Sequence, residues 1–64
     1  MAAARETIFE FTRVGAALKV TAVDAETGIE AVVVADPTRG EAALTRLARQ
    51  KLAYVLAKRQ PAGG

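Results

Sequence analysis

The stretch "LKVTAVDAETGIEAVVVADP", Leu18 to Pro37, reads as two β-strands joined at Asp24–Gly28. Its runs of Val, Thr and Ile suit a pleated, half-buried surface. At the joint, Asp24 can accept hydrogen bonds from the turn amides ahead of it, and Gly28 can take positive φ at little cost. Pro37 has no N–H to give to a ladder and stops the second strand. The expected strands are Ala17–Val23 and Ile29–Ala35. Their apolar residues fall on both sides of the ribbon. One side can enter a core, which raises the question of what the other side meets.

Upstream, "RETIFEFTRV" (Arg5 to Val14) alternates with period 2, placing Phe9 and Phe11 on one side and Ile8, Glu10 and Thr12 on the other. Gly15-Ala16 then offers a two-residue hairpin loop with Gly where a type II′ turn requires it. Strands adjacent in sequence tend to pair, so a three-stranded antiparallel meander is expected. Downstream, "DPTRGEAAL" starts a helix somewhere in residues 37–41. Thr38 with Glu41 three residues later matches a capping box. Asp36 with Pro37 at the first helical position is a competing start. The helix should continue to about Arg59, where Gln60, Pro61 and "AGG" end it. Leu44, Leu47, Ala48, Leu52, Val55 and Leu56 form one wide apolar stripe, with Tyr54 at its edge and Arg46, Arg49 and Gln50 opposite. The expected fold is α+β: three antiparallel strands with one C-terminal helix across one face (βββα), as a single domain over residues 7–59. Residues 1–6 are expected to be a flexible N-terminus and residues 60–64 a disordered tail.

The two turns fix a register. Phe11 should pair with Val20, Phe9 with Ala22, Val20 with Val33 and Ala22 with Ala31. One sheet face then carries Phe9, Phe11, Leu18, Val20, Ala22, Ile29, Ala31 and Val33, and is expected to receive the helix. The other mixes Ile8, Val23, Val32 and Val34 with Glu10, Thr12, Lys19, Thr21 and Glu30. Scattered β-branched residues on a strand surface need no special cause. Four large apolar groups together are also what a self-association surface looks like, through this face or through an edge strand. Ile8, Val23, Val32 and Val34 are therefore the candidate self-association face.

Composition points the same way. A domain of 64 residues buries about 60% of its unfolded surface, which leaves a lone core marginal. The 52% hydrophobic content is inflated by fifteen alanines. Disulfides, a metal or a partner chain would supplement such a core. With no Cys there is no disulfide, and with neither Cys nor His there is no ready zinc, iron or copper site. Asp24, Glu26 and Glu30 lack the ligand spacing of a calcium loop. No cofactor is expected, and oligomerisation is the supplement that remains. "MAAARETI" has no apolar run of signal-peptide length and no segment approaches a bilayer span, so the expected location is the cytoplasm, with no membrane partner.

Catalysis finds little to work with. The chain has no Ser, Cys or His, and no activating base is evident for Thr or Lys. Glu6 with Glu10, or Glu26 with Glu30, could pair as acid and base, but that chemistry needs a cleft that a chain this small can hardly form. Isolated Gly28 and Gly40 make no phosphate-cradling loop. No enzyme is expected.

Charge is unevenly placed. Residues 39–64 hold six basic groups against Glu41 alone, whereas residues 1–38 hold three basic groups against six acidic. Arg39, Arg46 and Arg49 should project from the outer side of the helix, with Lys51 and Lys58 flanking the stripe near Tyr54. Such charges can simply complement the helix dipole. They could instead bind an acidic protein surface or track a nucleic-acid backbone. A meander followed by a helix resembles the later part of double-stranded-RNA-binding domains, which grip phosphates with a lysine cluster at the start of that helix. Here that position reads "TRGEA", and the first helix of such domains is missing. Domains that read a groove with a sheet need a basic sheet, and this one sets Lys19 against Glu10 and Glu30.

The blocks "FEFTRVG", "KVTAVDAETGIE", "ADP" before the helix, and "KLAYVLAK" together resemble small uncharacterised bacterial proteins of about this length, a domain family of unknown function. The resemblance covers Ile8 to Lys58. It implies a compact β-β-β-α protein and supplies no activity, cofactor or catalytic residue. Most matching residues serve turns, core or helix face: Gly15, Asp24, Thr27, Gly28, Asp36 and Pro37. Lys19, Lys51 and Tyr54 are not required by packing, although Lys19 could pair with Glu10 and Lys51 could lie along the helix edge. With Arg46 and Arg49 they are the candidate polar or anion contacts. The expected role is non-enzymatic: self-association as a dimer or higher oligomer, or binding to another protein. Weak nucleic-acid binding through the basic helix is the alternative.

Overall fold

A computed structural model describes residues 6–59. The expected flexible N-terminus, apart from Glu6, and the tail at 60–64 lie outside the described residues. Three antiparallel strands, β1 (Thr7–Val14), β2 (Ala17–Asp24) and β3 (Glu30–Ala35), form an open sheet in the order β1-β2-β3. A 3-10 turn at Pro37–Arg39 leads into one α-helix, α1 (Glu41–Arg59). The fold is α+β with a C-terminal helix, as expected.

Register follows from the loops. Gly15 sits at φ 61° while Ala16 does not have positive φ, the sign pattern of a type II′ turn, and Val14 pairs with Ala17. All four expected pairs are present: Phe9 with Ala22, Phe11 with Val20, Val20 with Val33 and Ala22 with Ala31. The second loop is tied by Asp24, whose Oδ2 accepts from the Thr27 amide (3.0 Å) and the Thr27 hydroxyl (2.7 Å). The Gly28 amide donates to the Asp24 carbonyl (2.7 Å) and the Asp24 amide to the Ile29 carbonyl (2.9 Å).

Of the two helix starts the sequence allows, the capping box at Thr38 and Glu41 does not form and the start at Asp36 and Pro37 does. Asp36 caps the 3-10 turn instead, its Oδ1 accepting from the Thr38 amide at 2.9 Å, with Pro37 next in the turn. Gly40 then swings to φ 88°, ψ 148° and breaks the chain direction between Thr38 and Glu41, so the two side chains cannot close a box. The Leu44 amide donates to the Gly40 carbonyl (3.2 Å), which makes Gly40 the residue that opens α1. Glu41 follows in the first turn, where a negative charge suits the dipole.

Helix α1 sets Leu44, Ala48 and Leu52, one per turn, onto Val20, Ala22 and Ala31. These six residues are the buried apolar core, and half of them are alanine. Phe9, Leu18, Ile29, Val33, Ala35, Leu47, Val55 and Leu56 pack around it half-buried. The helix lies chiefly over β3 and β2. It was expected to cover the whole apolar face, and β1 departs from that: Phe11 remains 38% exposed although it points to the helix side. Among the described residues no helix is long and apolar enough to cross a membrane.

Candidate functional site

The outer sheet face is assembled by the same register. Ile8 pairs with Val23, Thr21 with Val32, and Lys19 sits between Thr12 and Val34. Among the described residues no element covers this face. Ile8 is 47% and Val34 57% exposed, whereas Val23 and Val32 are half-buried by their strand neighbours. Val14, 51% exposed on the same face beside Ala17, extends the apolar set and had not been singled out in the sequence. Its position just before the Gly15-Ala16 loop was the available signal. The four candidate association residues thus share one face, with Lys19, Thr21, Glu10 and Glu30 among them.

The candidate polar residues do not converge. Arg49, expected on the outer side of the helix, turns over the Phe9 ring with its guanidinium carbon 5.2 Å from the centroid. The helix axis is displaced toward β2 and β3, so the long Arg49 side chain extends from its near flank to reach the half-buried Phe9 ring of β1. Lys51, on the opposite flank, donates its ammonium to the Val32 carbonyl at 2.7 Å. Tyr54 is 64% exposed, with the Lys58 ammonium 5.7 Å from its ring centroid. Arg39 and Arg46 line a shallow surface depression with Ala43, Leu47 and Gln50. Lys19 stands on the other side of the sheet from all of these.

The sheet has two edges, and they differ. The Ala25 amide donates to the Glu6 carbonyl (3.0 Å), so even-numbered residues of β1 bond to β2 and Thr7, Phe9, Phe11 and Arg13 direct N–H and C=O outward. By the same alternation the Asp24–Ile29 bond turns the backbone groups of Glu30, Val32 and Val34 out from β3. On that edge Lys51 occupies the central carbonyl. Charged side chains, lysine above all, are a common way to blunt an edge strand. On β1 the outward row runs through a strand without Gly or Pro, backed by the partly uncovered Phe9 and Phe11.

Among the described residues no group of three or more acidic side chains is placed to hold a metal ion, and every buried side-chain nitrogen or oxygen has a partner. The chemistry on offer is apolar surface, strand edge and dispersed positive charge.

A family model with the description "Domain of unknown function (DUF6898)" matches residues 4–59. Comparison with curated proteins and with solved structures finds no match.

Proposed function

This chain belongs to the DUF6898 family, and we propose that it works without catalysis, by associating with copies of itself. The observation that carries this reading is the single-layer sheet. Its helix covers one face over β2 and β3, while the outer face with Ile8, Val14 and Val34, together with the β1 edge, faces solvent. A core of six residues, three of them alanine, is thin for a stable domain, and further burial against a second copy would supplement it. Absolute mass by light scattering behind a sizing column, at low and at high salt, tests this. A multiple of the chain's 6.7 kDa that persists in high salt is expected, since apolar contact and backbone pairing are little screened. A folded monomer at every accessible concentration would overturn it.

A second reading, phosphate contact by the basic helix, draws support from Arg39 and Arg46 at one depression. It is weakened where Arg49 and Lys51 are engaged within the chain. The charge-reversed variant R46E/R49E separates the two: nucleic-acid retention that falls steeply with salt, and is lost in the variant, would favour phosphate contact.

A further inference from the structure

We propose that the association runs through β1, pairing antiparallel with β1 of a second copy about a two-fold axis beside Phe11, to give a continuous six-stranded sheet with both helices on one side. This rests on the self-association reading and specifies its surface.

Three observations converge. Among the described residues no side chain takes the outward backbone row of β1, at Thr7, Phe9, Phe11 and Arg13, whereas Lys51 takes the Val32 carbonyl on the opposite edge. The helix is displaced from β1, leaving Phe11 38% exposed on the apolar face, where the Phe11 ring of a neighbouring β1 would pack against it. The residues of β1 also choose a register. Backbone groups pointing out must meet backbone groups pointing out, so only offsets that bring odd-numbered residues together can form a ladder.

With Phe11 facing Phe11, Phe9 faces Arg13, Glu10 faces Thr12 and Ile8 faces Val14. Each ring then meets a ring or a guanidinium, aliphatic meets aliphatic, and no like charges are opposed. Sliding one step toward the N-terminus sets Glu10 against Glu10 at the axis. A further step sets Ile8 against Glu10, and the opposite slide sets Glu10 against Val14. The occupant that fits the edge is thus another copy of this edge. In the resulting dimer the outer faces of the two sheets would remain open.

Because the chain has no cysteine, single-cysteine variants report the register directly. Glu10 and Thr12 of the second copy form a non-hydrogen-bonded pair, with Cα atoms about 4.5 Å apart, within disulfide reach. Mixed E10C and T12C chains should give a disulfide-linked heterodimer under mild oxidation, well above the yield from E10C alone or from an A57C control at the far end of the helix. Linking of E10C with itself at the higher yield would overturn the register.

Phe11→Lys should halve the native mass with strand circular dichroism retained, while Val32→Lys leaves it unchanged. If Val32→Lys dissociates the protein and Phe11→Lys does not, the outer face is the interface. Self-association then stands and the β1 pairing falls. A monomeric native protein would remove both.

Discussion

Asp24 is a carboxylate almost wholly withdrawn from water, 1% exposed at the end of β2, and it organises the loop that sets the β2–β3 register. Its Oδ2 holds both the amide and the hydroxyl of Thr27, and the Thr27 hydroxyl in turn accepts from the Ile29 amide at 3.2 Å. Hydrogen bonds to a charged group contribute roughly 1.5–3 kcal/mol each. With two such bonds, Asp24→Ala should cost about 3–6 kcal/mol, read as a lower urea midpoint at an unchanged slope, and Asp24→Asn, which keeps an acceptor, distinctly less. Equal losses in the two variants would count against the Thr27 bonds. Asp36 shows the opposite setting, fully at the surface. The Thr38 backbone amide first, then the Thr38 side chain, hold its carboxyl below the ordinary 3.8, with Arg39 adding a smaller pull in the same direction. A folded value below the unfolded one means the cap contributes above pH 3.8 and is lost as pH falls through the lower folded value. Following the Asp36 carboxyl by NMR should give a midpoint under 3.8, with the Thr38 amide shift moving in step. A midpoint at or above that value would remove the cap.

At the level of elements, α1 depends on three side chains spaced one turn apart, and Leu44 is wholly buried. Leu44→Ala removes most of a large side chain from a core already half alanine, at about 2–5 kcal/mol. Much of the far-UV signal at room temperature should go with it. Tyr54→Ala, on the exposed flank, should stay within about 0.5 kcal/mol of the native stability. The meander and helix were legible because each signal is local. Gly15-Ala16 and Asp24–Gly28 fix the register by loop geometry, and the Leu44–Leu56 stripe repeats at helical spacing. Of the two helix starts the sequence leaves open, the one at Asp36 and Pro37 forms, and the box at Thr38 and Glu41 does not because Gly40 takes a positive φ that composition does not announce. The lateral seat of the helix over β2 and β3 was not legible, since it depends on how a short turn aims the chain after Pro37. With it went the exposure of Phe11 and the reach of Arg49 to Phe9.

For the molecule as a whole, the sequence showed a basic helix beside an acidic sheet but not where the charges end up. Two cations turn inward on opposite flanks of α1, and the candidate residues Ile8, Val23, Val32 and Val34 share one face, as alternation requires. Reversing Arg46 alone should leave the native mass unchanged, because Arg46 lines the depression on the helix whereas Arg49 covers Phe9 of the pairing row; dissociation would point to the helix instead. The difference between the two edges has a further consequence, best put in the terms of step-growth polymer chemistry. A unit with two reactive ends grows without limit, and a unit with one stops at the dimer. On the proposed β1 pairing, Lys51, seated on the Val32 carbonyl, would act as the end-group that lowers the functionality of this chain from two to one. Lys51→Met should restore the second end. Mass should then climb with concentration past the dimer instead of reaching a plateau, and a variant that still stopped at two would show that the stopper lies elsewhere on β3.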